Sequence, residues 1–567
     1  MADQKFDDYH YERPVMENFT EAFEQLLTRF ETADDVAQQS EALGGLNQLR
    51  QEYSTMYNIC HVRHTIDSRD DYFEKENAFY VSTNPVDDAL INRFYTQLLQ
   101  SPFRPELEKR WGSQLFVIAE LTLRTFRPSI LEQLREENQL VSQYVKRKAS
   151  AKIDFRGEQY NLASILPLEL SQDREVRAGA LRAKWTFYAN NAPEIENIYD
   201  QQVQLRHGIA RALGFNNFVE LGYARMLRSD YDATMVANFR QQVLDYIVPI
   251  ATELYERQTK RLGLDHLYYY DEGFRFASGN PKPQGDPRWI IDNASRMYGE
   301  LSPETEQFFE FMRRKNLMDL VNKDGKATGG YCTYIDAYQA PYIFSNFNGT
   351  SSDIDVLTHE AGHAFQVYSS RDIGLPEYQW PTYEACEIHS MSMEFFTWPW
   401  MHLFFDADTD KYRFAHLAGA IKFLPYGVAV DEFQHRVYEQ PTMGKAERNR
   451  VWREIERRYL PHRDYADNAF LEAGGYWQQQ SHIFNMPFYY IDYTLAQICA
   501  FQFWQRDRAD HEGAWRDYLR LCQAGGSHSF VELVKLANLT SPFENGCVES
   551  VVGDIKAWLD GVDDTRF

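Results

Sequence analysis

Apolar residues recur at the spacing of an α-helix through most of this sequence. The first clear stripe begins at Phe19 and continues at i+4, i+7, i+8 and i+11 with Phe23, Leu26, Leu27 and Phe30. This spacing places the side chains on one face of an amphipathic helix. Similar patterns recur in residues 90–99, 115–126, 178–188 and 236–255. The chain of 567 residues is therefore predicted to be mainly α.

Strand signals are few and lie in two places. Residues 153–155 and 160–162 alternate in polarity around a turn that contains Gly157, which predicts a short hairpin. Residues 334–347 are rich in β-forming side chains and include Pro341. Because proline cannot donate a ladder hydrogen bond, this segment is predicted to be an edge strand. The predicted fold is helical with a small β element before residue 350.

Acidic residues greatly outnumber basic residues in this chain. The 83 Asp and Glu against 59 Lys and Arg give a net charge of −24 at pH 7. Binding to nucleic acid or to an anionic membrane surface needs clustered basic side chains, so both partners are excluded. The amino terminus does not resemble a signal peptide, the cysteines lack CxxC spacing, and no stretch is apolar enough to span a bilayer. These features predict a cytoplasmic protein with reduced thiols.

A stretch of the sequence just past residue 350 contains the motif HExxH. Ser352 and Asp355 are spaced as in a capping box, which predicts that a helix begins here. On this helix His359 and His363 are four residues apart and project from one face. Two such imidazoles can chelate one zinc ion, and Glu360 can act as the base toward the water that zinc activates. The alternative is a surface helix whose histidines and glutamate face solvent.

A second helical pattern follows and carries an acidic stripe. Glu384, Glu387, Met391 and Glu394 occur at i, i+3, i+7 and i+10, so they share one helix face. Three carboxylates make a poor core face but a suitable wall for a cation, and catalytic zinc sites generally need a third protein ligand. His389 points elsewhere on this helix and is a weak ligand candidate. The alternative is a solvated acidic face in an acidic protein.

Several segments carry a resemblance to a known family. They are the HEAGH form of the motif, the downstream EIHSMSME, the preceding PYIFSNFNGT and the YERP near the amino terminus. Together they resemble the thimet oligopeptidase and oligoendopeptidase F family of zinc metallopeptidases, and within it the oligoendopeptidase F and Pz-peptidase branch. The resemblance covers residues 150–560 well and the first 150 residues only in helical character.

The resemblance implies an architecture. The expected fold is mainly α, with two mostly helical halves that enclose a deep substrate channel and a small β-sheet beside the HExxH helix. The expected division is an N-terminal helical region, residues 1–160, and a zinc metallopeptidase catalytic region, residues 161–567. A deep channel would admit oligopeptides and exclude folded proteins.

Site residues are carried over position by position. The resemblance implies that one zinc ion is bound by His359, His363 and Glu387 and that Glu360 is the general base. Glu384 and Glu394 match acidic positions near the site. They are expected to orient the histidines without binding the metal themselves.

The family also places an edge strand beside the zinc, where it accepts the substrate backbone by strand addition. The matching stretch is residues 341–347. On this strand, Tyr342, Phe344 and Asn346 are expected to pair with the substrate backbone.

A second catalytic segment is expected at residues 474–493. Amide hydrolysis builds negative charge on the former carbonyl oxygen, which a Tyr hydroxyl or a His N–H can stabilise. His482 with Tyr489, Tyr490 and Tyr493 resembles the family's residues in this region. Tyr493 is the first choice because it lies at helical spacing from both other tyrosines. The alternative is an aromatic core helix.

These features predict a zinc-dependent endopeptidase that hydrolyses short oligopeptides. Glu360 would take a proton from water and pass it to the leaving amine, while His482 and a tyrosine steady the oxyanion. The alternative from another class is a non-catalytic peptide-binding or scaffold protein on the same fold. A further alternative is a helical protein that contains HExxH by chance.

Overall fold

The computed structural model describes residues 4–567. Most of these residues lie in helices, which confirms the predicted mainly α fold. Packing divides the described chain into two compact units, each built from three segments. The first unit contains the described residues up to Leu123, Lys282–Thr409 and Cys499–Leu539. The second unit contains Arg124–Pro281, Asp410–Ile498 and Thr540–Phe567.

The helices are numbered in chain order. Before residue 150 they are α1 (Met16–Glu31), α2 (Val36–Ile66), α3 (Asp71–Gln100), α4 (Arg104–Trp111), α5 (Ser113–Thr125) and α6 (Leu131–Ala149). Up to residue 314 they are α7 (Leu166–Glu169), α8 (Arg174–Leu213), α9 (Phe218–Arg225), α10 (Ala233–Gln242), α11 (Val248–Arg261), α12 (Pro287–Leu301) and α13 (Pro303–Arg314). Up to residue 439 they are α14 (Ser352–Ser370), α15 (Pro376–Gln379), α16 (Tyr383–Phe396), α17 (His402–Phe405) and α18 (Thr409–Glu439). The last are α19 (Lys445–Tyr459), α20 (Ala469–Glu472), α21 (Ser481–Asn485), α22 (Tyr490–Ala509), α23 (His511–Ala524), α24 (Phe530–Leu536) and α25 (Cys547–Asp560).

The strands form two small sheets. They are β1 (Ile153–Phe155), β2 (Glu158–Tyr160), β3 (Met318–Val321), β4 (Tyr331–Ile335) and β5 (Ala340–Phe347). The predicted hairpin is confirmed as the antiparallel pair β1–β2. Its two turn residues, Arg156 and Gly157, both have positive φ (51° and 87°), as a tight two-residue hairpin turn requires.

The core of the first unit near its amino terminus is built by α1 to α5. Four residues of the predicted stripe on α1 are buried there: Phe19, Phe23, Leu27 and Phe30. They pack in one cluster with buried residues of α2, α3 and α5, including Leu43, Phe94 and Leu115. The helical periodicity therefore identified a true core face.

The three-stranded sheet of the first unit has the order β3–β5–β4. β5 pairs in parallel with β3 and antiparallel with β4. The edge strand predicted at residues 334–347 is therefore wrong for β5, because β5 is the central strand and β4 lies at an edge. Pro341 is tolerated in a central strand because the β3 pairing begins only at Ile343, so its missing N–H interrupts no ladder bond.

Within the second unit, α8 carries a buried arginine that fixes a neighbouring segment. Arg206 pairs with Glu137 at 2.7 Å and donates to the backbone oxygen of Phe484 at 2.6 Å. This contact holds α21, the short helix on which His482 lies.

The fold does not test two predictions from the sequence, namely the division into two functional regions and the substrate channel. Residue 160 lies inside the second unit, so packing alone does not divide the chain there, and the division into two functional regions stays a prediction. The substrate channel likewise stays a prediction. Among the described residues, no helix is long and apolar enough to cross a membrane.

Candidate metal centre

Helix α14 carries both histidines of the motif and starts at Ser352, close to the predicted position. Its N-cap is Ser351, whose side chain makes no capping hydrogen bond, so the predicted capping role of Ser352 is wrong. Asp353 instead accepts hydrogen bonds from the backbone N–H groups of Asn348 (2.9 Å) and Gly349 (2.8 Å). The acidic side chain thus ties the preceding loop to the first turn of the helix.

The three predicted metal ligands come together in the first unit. The rings of His359 and His363 have centroids 5.0 Å apart. Helix α16 packs against α14 and brings Oε2 of Glu387 to 3.3 Å from Nε2 of His359 and 3.7 Å from Nε2 of His363. The three donor atoms all lie within 4.8 Å of one another.

This donor set fits a small tetrahedral cation. Zinc bonds of 2.0–2.2 Å place tetrahedral ligand atoms about 3.4 Å apart. The observed separations of 3.3 and 3.7 Å from the carboxylate to the two imidazoles bracket that value. Two imidazole nitrogens and one carboxylate oxygen also form a donor set that suits zinc. The side chains of His359 and His363 are 24% and 13% exposed, so neither ring is completely enclosed.

Two neighbours on α16 orient the ligands. Nδ1 of His359 lies 2.8 Å from Oε1 of Glu394, so it carries the proton and donates it to the carboxylate. This contact directs Nε2 toward the donor cluster. The hydroxyl of Ser390 donates to Oε2 of Glu387 at 3.0 Å. Glu384 is buried on the same helix, and its predicted role near the histidines stays a prediction.

The surroundings shift the pKa values of the two histidines in opposite directions. Burial lowers the pKa of His363 to about 4, which keeps this imidazole neutral. Burial also opposes the charge on His359, but its contacts with Glu387 and Glu394 raise the pKa well above the usual range. Because a metal ion binds an imidazole through a deprotonated nitrogen, metal binding is expected to release a proton from His359.

Glu360 lies between the two histidines in sequence and is 8% exposed. Burial raises the pKa of its carboxyl group to about 7. A Cβ placed on Gly330 would lie 3.5 Å from Oε1 of Glu360 and 3.4 Å from the backbone oxygen of Phe344. The carboxylate therefore reaches the start of β4. Among the described residues, the donor cluster does not include it.

Gly362 allows the two ligand-bearing helices to approach closely. A Cβ at this position would lie 2.6 Å from Cα of Ser390 and 2.7 Å from the backbone oxygen of His389. His389 itself is fully buried, its backbone oxygen accepts a hydrogen bond from Tyr518 at 2.9 Å, and it lies outside the donor cluster. Glycine at 362 therefore sets the spacing that brings Glu387 to the histidines.

The predicted second catalytic segment forms one aromatic cluster in the second unit. The ring of His482 has its centroid 5.9 Å from Tyr489, 4.9 Å from Tyr490 and 6.0 Å from Tyr493. Tyr493 also contacts Tyr489 at 5.0 Å and Tyr490 at 5.7 Å. All four side chains are partly exposed, whereas an aromatic core helix would bury them. The structure places the four side chains side by side, and their catalytic role stays a prediction.

The residues predicted for the substrate strand lie on β5. Tyr342 and Phe344 are buried, and β5 has partners on both sides. Nδ2 of Asn346 donates to the backbone oxygens of Ala327 (2.9 Å) and Gly329 (2.8 Å). Strand addition on β5 is therefore ruled out, because its hydrogen bonds are already used within the sheet. These residues support the loop before β4 and the sheet itself.

Comparisons with known proteins place this centre in a family. The Peptidase M3 N-terminal domain matches residues 6–126, and Peptidase family M3 matches residues 305–552. A crystal structure of a protein provisionally named oligoendopeptidase F is 58% identical, with each chain covered completely and a TM-score of 0.94. Pz peptidase A, solved with an inhibitor, is 57% identical over 99% of this chain and 100% of that chain, with a TM-score of 0.93. The chain belongs to peptidase family M3.

A more distant relative is the oligoendopeptidase F homolog of Borreliella burgdorferi. It is 21% identical over 372 residues, which is 63% of this chain and only 60% of that protein. Membership of family M3 confirms the predicted family and, at the level of the family, the predicted metallopeptidase class. The N-terminal match corrects one expectation, since the first 150 residues resemble family M3 in more than helical character.

Two residues near the M3 centre were missed from the sequence. Ser390 follows Glu387 by three residues, a helical spacing that could have indicated their contact. Gly330 ends an exposed Thr-Gly-Gly segment before β4. No local signal connects it with Glu360, because only the fold brings them together.

Proposed function

We propose that this M3 peptidase is a zinc-dependent endopeptidase that hydrolyses short oligopeptides. The observation that carries the proposal is the cluster of His359, His363 and Glu387, with Glu360 on the same helix and outside the ligand set. A surface helix with HExxH by chance would not bring a buried carboxylate from another helix to both imidazoles.

The metal and the base have separate tasks. A zinc ion held by the three donors would polarise the scissile carbonyl group and make a water molecule more acidic. Glu360 accepts the proton of that water and later delivers it to the leaving amine. Burial supports this task, because a carboxyl group with a pKa of about 7 can both accept and release a proton near neutral pH.

Substrate binding is assigned to the open edge of β4. Ile343 of β5 donates its N–H to Leu317, so its backbone faces β3, and the opposite residue Cys332 faces away from β5. Tyr334 faces the same way by alternation. No other described residue hydrogen-bonds to the backbone of Cys332 or Tyr334. A peptide could therefore extend the sheet there, starting beside Glu360, without a required sequence.

The remaining predictions belong to the same proposal. His482 and the three tyrosines are proposed to stabilise the oxyanion, and their partial exposure supports this. Each tyrosine can be replaced by phenylalanine in turn. If all three variants keep the wild-type kcat, none of these tyrosines has a catalytic role. A channel that excludes folded proteins, oligopeptide substrates and a cytoplasmic location are also proposed on the family resemblance.

The test of the proposed function is metal-dependent cleavage. Purified protein is expected to contain about one zinc per chain and to cleave an internally quenched peptide of roughly ten residues. Dialysis against a chelator should abolish cleavage, and added zinc should restore it. A protein that binds this peptide but never cleaves it, with zinc present, would instead support the non-catalytic peptide-binding alternative.

Replacing Glu394 by glutamine is expected to weaken zinc binding by about 10- to 100-fold, because the carboxylate that orients His359 and balances its charge is lost. Competition with a chromophoric chelator measures the affinity. Glu310→Gln is the matched control, since Glu310 is exposed on α13. Equal zinc affinity in the Glu394 variant and the control would show that this contact does not support the metal.

A further inference from the structure

The first unit contains a cavity that the metal centre does not use. It has a volume of about 290 Å³ and is framed by α2, α3, β4 and the segment around α15. Its lining includes Arg50 and Tyr53 of α2, Asp87 of α3, Thr333 and Tyr334 of β4, and Trp380. The cavity therefore opens at the carboxyl-terminal end of β4.

The position of the cavity relates it to the open edge of β4. The amino-terminal end of β4 begins next to Gly330, which adjoins Glu360, whereas the cavity begins at Thr333 and Tyr334. Four residues at about 3.3 Å per residue give a span of roughly 13 Å between these two points. A peptide lying on this edge would therefore reach the cavity about four residues from the bond that is cleaved.

The charges around the cavity favour a cation. The guanidinium of Arg50 is already neutralised by Glu377 at 2.7 Å. Asp336, beneath the lining, accepts hydrogen bonds from Ser54 (2.8 Å) and Gln379. Asp87 also lines the cavity, and Arg50 attracts its carboxylate. Among the described residues, however, the buried Oδ1 of Asp87 has no hydrogen-bond donor. A ligand with N–H donors would satisfy this oxygen.

Two further features fit an ammonium group. Tyr53 and Trp380 are among the lining residues, and aromatic side chains attract cations. Burial raises the pKa of Asp87 to about 6, because the buried carboxylate is poorly solvated by water. A bound cation would stabilise the charged carboxylate in place of that water.

We propose that this cavity binds the protonated amino terminus of the peptide substrate, with Asp87 as the acceptor, and so sets the distance from that terminus to the cleaved bond. The inference rests on the proposed function, since it deepens the assignment of β4 as the substrate edge. It requires the peptide to run antiparallel to β4, which is also the commoner arrangement of paired strands.

The experiment compares peptides that differ only at their ends. A quenched peptide with a free amino terminus is expected to have a kcat/KM at least about tenfold higher than the same peptide acetylated there, because a charge-assisted hydrogen bond is lost. In Asp87→Asn this ratio should fall to about one. Asp88→Asn is the matched control, since Asp88 is the next residue of α3, is exposed and does not line the cavity. It should keep both the ratio and the activity.

A second measurement needs no variant. In a series extended by one residue at a time at the amino terminus, the amino-terminal product of the wild-type enzyme should keep its length, at about four residues. Products counted from the carboxyl terminus, or a tenfold loss on amidation rather than acetylation, would overturn the inference in favour of carboxylate capture by Arg50. Equal cleavage of free and acetylated peptides would also overturn it. Absence of all zinc-dependent cleavage would overturn the proposed function itself.

Discussion

Replacing Glu360 by glutamine is expected to lower kcat for a quenched peptide by about 10²- to 10⁴-fold, the usual contribution of a general base. The amide has nearly the same shape but cannot accept the proton of the attacking water at neutral pH. Zinc content should stay at the wild-type level, because the proposed donors are His359, His363 and Glu387. Metal analysis and steady-state kinetics on the same preparation measure both properties.

The Glu360→Gln variant distinguishes an enzyme from a non-catalytic peptide-binding protein. Glu310→Gln controls for loss of an acidic side chain, since that residue is exposed on α13. A peptide-binding protein would bind peptides equally well with either residue at 360 and would show no turnover to lose. Full activity in Glu360→Gln would exclude this carboxylate as the base, and another group would have to accept the proton.

Replacing Gly362 by alanine is expected to destabilise the fold by about 1–3 kcal/mol and to weaken zinc binding by at least about tenfold. The added methyl group would meet Cα of Ser390 at 2.6 Å and the backbone oxygen of His389 at 2.7 Å. Neither is the mobile end of a side chain, so α14 and α16 must move apart. Glu387 would then move away from the two histidines.

A second glycine provides the matched control for this substitution. A Cβ placed on Gly44, in the interior of α2, meets no described atom within 4 Å outside its own helix. Gly44→Ala should therefore stabilise the protein by about 0.5–1 kcal/mol, since alanine favours the helix. Urea unfolding and zinc titration measure both variants. Unchanged zinc affinity in Gly362→Ala would show that the two helices can separate without loss of the centre.

Prediction from the sequence succeeded where the signal was local. The stripe on α1, the hairpin β1–β2 and the helix that carries His359 and His363 follow from spacing and turn residues. It failed for β5, because Pro341 was taken as the mark of an edge strand. Only the register with β3 shows that this proline lies before the shared ladder begins.

The residues of the candidate metal centre also differ in how far local sequence could predict them. HExxH predicted two ligands and a base from one helix, whereas the choice of Glu387 from three carboxylates on one stripe needed the family resemblance. The structure distinguishes these glutamates by what they touch. Glu387 faces both imidazoles, whereas Glu394 contacts the far nitrogen of His359.

The sequence by itself determined that this chain is helical, acidic and equipped with two histidines and a glutamate for metal chemistry. These properties depend on residues within a few turns of one another, so spacing reveals them. Only the tertiary structure decided that Glu387 completes the donor set, that β4 provides the open edge and that Asp87 lines a cavity at its end. These placements depend on packing between segments far apart in the chain, where a backbone contact such as Gly362 against Ser390 decides the distance between helices.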